Sequence, residues 1–480
     1  MADSRAYSLK KLSLYPFAMA RQSKVIQFLL SILFGLGMMY WLSDPSFTQT
    51  QNLVLLLLFL AIALWITEAI PPFSVGILVI GYLVVVMGTD ENQHAMRYVQ
   101  TWSDGVIWLF LGGFFLAEGM KKTRLDEALL GILLPKFGKK PEFILLGLML
   151  TTAVISMLMS NTATTAMMIA TVSPIFASLD KKSNFSRALL LGIPTAASIG
   201  GMGTIIGSAP NAIAVGALEA VGISISFLEW MVIGVPIALL LLYIFWRILL
   251  RRYRVGREEM TVQFALPTVE HSDQLSSKEL RLQKNIMMVV LGITLFFWLT
   301  SKWFGIPIAA VSGIPIVALT MLGVLDADDV RALPWDTLML VAGGLALGMA
   351  IQEQELAAHF VDKLSGVQIN FYLLMLLFGF ITVLLSNFMS NTAATTILVP
   401  IALSLMSISS GDFSPATLPL IIALSASCAL LLPVSTPPNA IAFSTGLIKQ
   451  SEFRLGGVSM GLLGPVSSIV WVLAVTSIFN

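Results

Sequence analysis

The chain is a succession of long apolar stretches separated by short polar ones, and the length of each stretch predicts its place in a membrane. A helix needs about 20 apolar residues to cross a hydrocarbon layer of about 30 Å. This criterion predicts eleven transmembrane helices, at residues 25–42, 51–70, 72–88, 104–120, 186–218, 224–250, 285–303, 306–325, 334–352, 413–446 and 455–479. The predicted fold is an all-α polytopic membrane protein.

Two further apolar segments, residues 143–179 and 370–409, are each interrupted in the middle by the tripeptide Ser-Asn-Thr. Their arms of about 15 residues are short for a crossing. The pattern therefore predicts two re-entrant hairpins, each entering the membrane, turning at the tripeptide and leaving on the side it came from.

Three motifs occur in the same order in both halves of the chain, with nearly constant spacing. The matched pairs are 111–113 with 342–344, 160–162 with 390–392, and 207–214 with 435–442, at offsets of 231, 230 and 228 residues. Matched helix breaks in two apolar halves point to a transporter binding site. Five predicted crossings separate the two hairpins, so they open to opposite sides and the two repeats are inverted.

These elements predict a cytoplasmic N-terminus (1–24), two repeats and a cytoplasmic linker (251–284) between them. The first repeat (25–250) consists of scaffold helices at 25–120, the hairpin 143–179, a broken helix at 186–218 and the helix 224–250. The second repeat (285–480) consists of scaffold helices at 285–352, the hairpin 370–409, a broken helix at 413–446 and the helix 455–479. Segments 122–137 and 354–367 mix charge with leucine and predict either an interfacial helix or a solvated loop.

The composition agrees with a membrane protein, because 57% of residues are hydrophobic and only 11% are charged, against about a quarter charged in soluble domains. The mean hydropathy is +0.87. A net charge of +1 argues against nucleic acid as a partner, which would require a basic face. The single cysteine, Cys428, excludes an internal disulfide and any cysteine-based metal centre.

Lysine and arginine orient the chain, because they concentrate in cytoplasmic loops of membrane proteins. With the N-terminus inside, 25 of the 28 basic residues fall on the cytoplasmic side, and Arg97, Lys302 and Lys363 remain outside. The chain is therefore expected to be a multi-pass protein of the cytoplasmic membrane, with its N-terminus in the cytoplasm and its C-terminus outside.

The repeated residues suit an anion. Serine, asparagine and threonine are preferred helix N-caps, and a helix N-terminus with free N–H groups binds carboxylates. Two such ends at the membrane midplane fit a molecule with two carboxylates. Oxygens for a small hard cation such as Na⁺ are supplied by freed backbone carbonyls and by six side chains, Ser156, Ser160, Asn161, Ser386, Asn391 and Thr436.

Neither the hairpins nor the Pro-Asn breaks contain lysine, arginine or histidine. Bound cations would supply the positive charge that a buried dianion lacks, which gives a physical reason for ion coupling. The structural alternative is that the Ser-Asn-Thr side chains only join packed helices. Glu68 and Glu118 are the clearest acids in or beside the spans, and Glu68 at a helix end also has a structural or interfacial interpretation.

The chain resembles the divalent anion/sodium symporters, a family that includes Na⁺-coupled dicarboxylate and citrate carriers. The resemblance covers nearly the whole chain and rests on Trp65–Pro71 (WITEAIP), both Ser-Asn-Thr tips and Pro433–Ile441 (PVSTPPNAI). It implies a homodimer of eleven-span protomers, each with a scaffold domain and a transport domain that moves as an elevator.

The resemblance also implies the residues that bind. The substrate contacts would be Ser160, Asn161, Thr162, Ser208, Ser390, Asn391, Thr392 and Thr436. One sodium site would use Ser156, Ser160, Asn161 and Gly207, and the other Ser386, Met389, Asn391 and Ser435. The chain departs from the family at Ser208-Ala209-Pro210, where members often have Thr-Pro-Pro, which weakens the substrate role of Ser208.

The sequence thus predicts a transporter that couples Na⁺ to import of C4 dicarboxylates such as succinate, malate or fumarate, with no organic cofactor. A sodium-independent exchanger of dicarboxylates, citrate or tartrate is the alternative, and a sulfate carrier a weaker one. An intramembrane hydrolase would lack a base, because His94, His271 and His359 all fall in predicted loops. Broken helices suit an occluding site better than the continuous pore of an ion channel.

Overall fold

A computed structural model describes residues 2–87, 92–178, 183–256, 277–356, 370–408 and 413–479 of the chain. Every regular element in these ranges is helical, so the prediction of an all-α membrane protein is confirmed. The helices of the first half are α1 (Ala2–Leu42), α2 (Gln49–Thr67), α3 (Pro72–Met87), α4 (Asn92–Gln100), α5 (Gly105–Lys122), α6 (Leu125–Leu133), α7 (Pro141–Ser156), α8 (Asn161–Ser178), α9 (Asn184–Gly200), α10 (Ala209–Ala220) and α11 (Phe227–Tyr253).

The second half repeats this succession. Its helices are α12 (Ser277–Phe304), α13 (Ile308–Met321), α14 (Ala327–Arg331), α15 (Trp335–Glu353), α16 (Phe371–Phe388), α17 (Asn391–Ile408), α18 (Thr417–Ala426), α19 (Pro437–Ser444) and α20 (Phe453–Phe479). Among the described residues, eight helices are long and apolar enough to cross a membrane by length and composition.

Helix boundaries differ from the predicted spans mainly at charged ends. The first helix begins at Ala2, so the predicted N-terminal segment is continuous with the first span. Both helices that flank the predicted linker extend into it, with α11 ending at Tyr253 and α12 beginning at Ser277. Arginine and lysine are good helix formers, which hydropathy alone does not register. Residues 257–276 of the linker lie outside the described residues.

The structure divides each segment predicted as a hairpin into two helices. The chain leaves α7 at Ser156 and enters α8 at Asn161, and it leaves α16 at Phe388 and enters α17 at Asn391. The 16 residues of α7 extend about 24 Å, less than the hydrocarbon thickness. The 18 residues of α16 meet the length criterion for a crossing, so re-entry of this segment stays a prediction.

The predicted spans 186–218 and 413–446 are each interrupted. In the first, a 3₁₀ turn and an irregular stretch separate α9 from α10, and Pro210 lies in the first turn of the new helix. In the second, an irregular stretch separates α18 from α19, which begins at Pro437 and Pro438. Proline is favoured in a first helical turn because its missing N–H would have no partner there.

The two halves pack in the same pairwise pattern. In the first half α9 contacts α7, α8 and α11, and in the second half α18 contacts the corresponding helices α16, α17 and α20. Across the halves, α10 packs on α17 as α19 packs on α8. This crossed packing brings the breaks and tips of both halves together in the interior.

Candidate functional site

A cavity of about 810 Å³ lies where the tips and breaks of both halves meet. Its lining includes all eight predicted substrate contacts, namely Ser160, Asn161, Thr162, Ser208, Ser390, Asn391, Thr392 and Thr436. Three of the other predicted sodium ligands, Gly207, Met389 and Ser435, also line it. Ser156 and Ser386 are fully buried and do not line the cavity.

The two Ser-Asn-Thr tips have matching local geometry. The hydroxyl of Ser160 accepts a hydrogen bond from the N–H of Ala163 at 3.2 Å, and the hydroxyl of Ser390 accepts one from the N–H of Ala393 at 3.1 Å. Each serine is thus the N-cap of the helix that leaves its tip. The N–H groups of the next two residues, which have no carbonyl partner in their own helix, are the groups that can bind an anion.

The two breaks differ at their caps. The hydroxyl oxygen of Thr436 accepts from the N–H of Asn439 at 3.3 Å, which leaves the hydroxyl hydrogen of Thr436 to donate to a ligand. Ser208 occupies the matching position of α10 but makes no side-chain capping bond. Its hydroxyl is less constrained, in line with the departure from the family pattern at this position.

Four helix N-termini, those of α8, α10, α17 and α19, therefore surround one cavity. Each carries roughly half a positive charge from the helix dipole, so together they match about two negative charges. Of the described residues that line the cavity, Lys121 is the one with a cationic side chain. Its ammonium group donates to Glu118 at 2.9 Å. The positive potential in the cavity therefore comes mainly from neutral dipoles.

Acceptor oxygens are concentrated behind the first tip. The hydroxyl of Ser156 lies 2.6 Å from Oδ1 of Asn161 and 2.8 Å from the carbonyl of Ala197, but its one hydrogen can satisfy only one of them. A Cβ on Gly201 would lie 2.7 Å from Oδ1 of Asn161 and 2.8 Å from the carbonyl of Gly207. Such a cluster of neutral oxygens suits a hard cation.

The second tip has a corresponding cluster. Oδ1 of Asn391 and Oγ of Ser386 are buried and have no hydrogen-bond partner among the described residues. A buried unsatisfied oxygen is costly. The hydroxyl of Ser435 donates to the carbonyl of Leu432 at 2.8 Å, so its own oxygen can accept or coordinate. Three of the four predicted ligands of the second sodium site thus have oxygens available to a cation.

Two asparagines, to which the sequence assigned no role although they lie in the matched motifs, hold the breaks in shape. Asn211 donates to the carbonyls of Gly201 and Thr204, at 2.8 and 2.7 Å. Asn439 donates to the carbonyls of Leu430 and Leu432, at 3.3 and 3.1 Å. The signal for this pair was their recurrence in the matched Pro-Asn motifs.

Asn387 joins the second tip to the second break, and nothing in the sequence indicated this role. Its amide donates to the carbonyl of Val383 at 2.8 Å within α16, and its Oδ1 accepts from the N–H of Leu431 at 2.9 Å. In the first half, the hydroxyl of Thr204 makes the corresponding connection by donating to the carbonyl of Met157.

The opposite wall of the cavity belongs to other helices and is apolar beside the middle of α5. Phe110, Gly113 and Phe114 of α5 face the tips there. Nearer the ends of the helices the lining becomes charged, with Glu68 after α2, Glu118 and Lys121 at the end of α5, and Asp336 at the start of α15. Both acids that the sequence singled out, Glu68 and Glu118, therefore line the same cavity as the tips.

Known proteins are similar in sequence to this chain over most of its length. The model of a family described as "Citrate transporter" matches residues 62–424. A sodium-dependent dicarboxylate transporter, SdcS, of Staphylococcus saprophyticus is 31% identical over 471 residues, which cover 90% of this chain and 87% of that protein. A protein of Haemophilus influenzae described as an uncharacterized transporter is 32% identical over 440 residues, covering 87% of this chain and 90% of the relative.

Solved structures show the same type of fold at much lower sequence identity. MtrF of Neisseria gonorrhoeae, from a class of antimetabolite efflux pumps, aligns with a TM-score of 0.55 at 12% identity, covering 84% of this chain and 94% of MtrF. The YdaH transporter of Alcanivorax borkumensis aligns with a TM-score of 0.52 at 11% identity, covering 85% and 98% of the two chains. These similarities support the fold alone.

The family match extends over most of the chain and includes both tips, and its members are transporters and not enzymes. The resemblance noted in the sequence is thereby confirmed. The chain belongs to the divalent anion/sodium symporter family of membrane transporters.

Proposed function

We propose that this protein imports C4 dicarboxylates such as succinate, malate or fumarate across the cytoplasmic membrane by symport with Na⁺. The observation that carries the proposal is the set of four helix N-termini around a cavity in which the one cationic side chain among the described lining residues, Lys121, is paired with Glu118. A dianion and a site of neutral dipoles bind best when co-bound cations compensate the charge. The sodium-dependent dicarboxylate transporter SdcS is a relative with this named activity.

The proposed ligands follow from the two oxygen clusters. Sodium would bind at Ser156, Ser160, Asn161 and Gly207 in the first half, and at Ser386, Met389, Asn391 and Ser435 in the second. The dicarboxylate would lie between the tips, with one carboxylate at Ser160–Thr162 and the other at Ser390–Thr392. Ser208 and Thr436 would donate from the breaks. Each asparagine would then contact both an ion and the substrate, which couples the two energetically.

An elevator motion is the mode of transport that this cavity favours. All the proposed ligands come from α7–α10 and α16–α19, while α2, α5 and α15 supply only the opposite wall. A substrate held by one group of helices can travel with that group as it slides along an apolar wall. In this proposal α1–α5 and α12–α15 form the scaffold and mediate a homodimer.

We infer an inward-open state from the proposed orientation, with the N-terminus in the cytoplasm, and from the helix ends that line the cavity. The cavity lining from α5 comes from its second half, residues 110–121, and the lining from α15 comes from its first residues, Asp336 and Thr337. Both are predicted cytoplasmic ends. At the predicted outer ends, Lys302 of α12 pairs with Glu229 of α11 at 2.7 Å, a contact that would separate when the outer side opens.

Uptake into proteoliposomes tests the function. Purified protein should accumulate labelled succinate when an inward Na⁺ gradient is imposed, and should not when choline replaces Na⁺. Uptake at the same rate without sodium would reject symport. Accelerated uptake in vesicles preloaded with dicarboxylate, in the absence of sodium, would instead support an exchanger.

The family description as a citrate transporter makes a tricarboxylate the second candidate substrate. A competition series of unlabelled succinate, malate, fumarate, citrate, tartrate and sulfate against labelled succinate separates the candidates. We expect the C4 dicarboxylates to compete best. Stronger inhibition by citrate or sulfate would reassign the substrate while leaving the ion coupling to be judged by the sodium experiment.

A further inference from the structure

The end of α11 carries four arginines, at positions 247, 251, 252 and 254, which we call the α11 arginine surface. All four side chains are exposed, and none pairs with a carboxylate in the part of the chain that the structure describes. In sequence, residues 247–259 contain five arginines against two glutamates, Glu258 and Glu259, a net charge of +3. The last three of these residues, 257–259, lie outside the described ranges.

This surface continues a stripe of α11 that no helix covers in the described part of the chain. Leu239, Leu240 and Tyr243 are 45%, 48% and 51% exposed, one to two turns before Arg247. The opposite face, with Leu241 and Phe245, is fully buried against the rest of the protein. Residues three and four apart share a helix face, so the exposed apolar stripe leads directly into the arginines.

Two aromatic residues mark the transition between the apolar and basic parts. The rings of Tyr243 and Trp246 lie 5.7 Å apart, and Tyr and Trp are enriched at membrane interfaces. The indole of Trp246 is fixed by donating to the carbonyl of Glu142 at 2.9 Å, and the guanidinium of Arg247 lies 5.8 Å from the centre of its ring. The aromatic pair thus lies beside the first arginine, at the end of the exposed apolar stripe.

A neighbouring carboxylate already has other partners. Glu452, at the start of α20, accepts from the hydroxyl of Tyr253 at 3.3 Å and lies 3.6 Å from the guanidinium of Arg187. Tyr253 itself is buried, while the arginines on either side of it point to the exposed surface. The fold therefore uses Tyr253 as an anchor and gives the arginines no carboxylate partner among the described residues, although Arg247 and Arg252 lie over the rings of Trp246 and Tyr253.

We propose that the α11 arginine surface binds the phosphate groups of anionic phospholipids in the adjacent leaflet. From Arg247 to Arg254 the helix rises about 10 Å, comparable to the headgroup layer beyond the hydrocarbon core. Arginine binds phosphate with two parallel hydrogen bonds, and juxtamembrane basic clusters attract anionic lipids. Because α11 packs on α9, one of the helices that we expect to move in the proposed function, such lipids would hold its end at the membrane surface.

The test uses the full chain in nanodiscs that contain phosphatidylcholine with and without phosphatidylglycerol. Native mass spectrometry counts the lipids that stay bound after release into detergent. The wild type should retain phosphatidylglycerol in excess over phosphatidylcholine. The triple variant Arg247→Gln, Arg251→Gln, Arg254→Gln should lose this excess by about ten-fold or more, given about five-fold for each arginine near a lipid surface.

The matched control is the triple variant Lys136→Gln, Lys139→Gln, Lys140→Gln, which removes the same charge from exposed residues on the same predicted side. It should retain the wild-type excess. Equal retention by the arginine variant, or equal loss in the lysine variant, would overturn the proposal. Size-exclusion profiles establish folding, and if the triple arginine variant aggregates, Arg251→Gln alone serves with an expected loss of about five-fold.

A displacement experiment separates a lipid from a free phosphate or an acidic protein. Bound fluorescent phosphatidylglycerol should be displaced by unlabelled phosphatidylglycerol and by high salt, since exposed charges are screened, but not by inorganic phosphate. Displacement by phosphate at the same concentration as lipid would assign the surface to a soluble anion. Displacement by an acidic peptide alone would assign it to a protein partner, and either result contradicts the proposal.

Discussion

Gly201→Ala tests the first proposed sodium site with the addition of a single methyl group. Gly201 has φ −55° and ψ −20°, a conformation that alanine adopts freely, so backbone strain does not contribute. The new Cβ would lie 2.7 Å from Oδ1 of Asn161 and 2.8 Å from the carbonyl of Gly207, where ordinary contact begins at 3.4 Å. To reach a separation of 3.4 Å from the new Cβ, the two oxygens would have to move by 0.7 and 0.6 Å.

Such displacements exceed what an ion site tolerates, because metal–ligand distances vary by only about 0.2 Å. We therefore expect the sodium concentration for half-maximal succinate uptake to rise by about ten-fold or more, a loss of about 1.4 kcal/mol in binding free energy. The assay is initial uptake of labelled succinate by proteoliposomes across a sodium titration. Because binding energies are linked, succinate affinity at low sodium should fall by the same factor.

Gly292→Ala is the matched control, since Gly292 lies within α12 and a Cβ there meets no atom of the described residues within 4 Å. Its sodium dependence should equal that of the wild type. Thermal unfolding of both variants shows whether the added methyl group affects folding. A folded Gly201→Ala protein with unaltered sodium dependence would refute the assignment of these oxygens to Na⁺.

Asn161→Ala and Asn391→Ala should each abolish sodium-dependent uptake while leaving a folded protein by size exclusion, and wild-type transport by both would remove the proposed sites. Thr436→Ala should raise the KM for succinate at saturating sodium by about ten-fold or more, because a hydrogen bond to a charged group is lost. Thr436→Ser should restore the wild-type KM, and an unchanged KM in Thr436→Ala would contradict the role of Thr436 as a donor. Burial raises the pKa of Asp126, outside the spans on α6, from 3.8 to about 6. The cost of ionising Asp126 in the folded protein therefore grows between pH 3.8 and pH 6 and destabilises the fold by up to about 3 kcal/mol above pH 6. Asp126→Asn should raise the Tm at pH 7.5, and this gain should vanish toward pH 4. An equal gain at both pH values would contradict burial as the cause.

The positions of the tips and breaks could be predicted because their signal is local and repeated. Ser160 and Ser390 cap helices, as their residue type indicates, and their duplication distinguished them from ordinary polar residues between packed helices. The prolines at 210 and 437 likewise lie at helix starts. The lengths of the apolar stretches predicted the positions of most helices, except at the charged helix ends.

Other features depend on contacts between distant segments, and the sequence could not supply them. The close approach of Gly201 to Asn161 depends on the packing of α9 against the first tip. Phe110 and Phe114 look like any apolar residues of a span, and only the tertiary structure places them opposite the tips. The bond from Asn387 to the N–H of Leu431 joins residues 44 positions apart, beyond any local pattern.

Equilibrium binding of labelled succinate to the purified protein in detergent is the most direct test of how the cavity holds a dianion. No gradient is present, so the measurement isolates the site from the transport cycle. Saturable binding in NaCl that weakens by about 100-fold in choline chloride is the predicted result, because the neutral helix ends need co-bound cations. Equally tight binding in both salts would contradict the account.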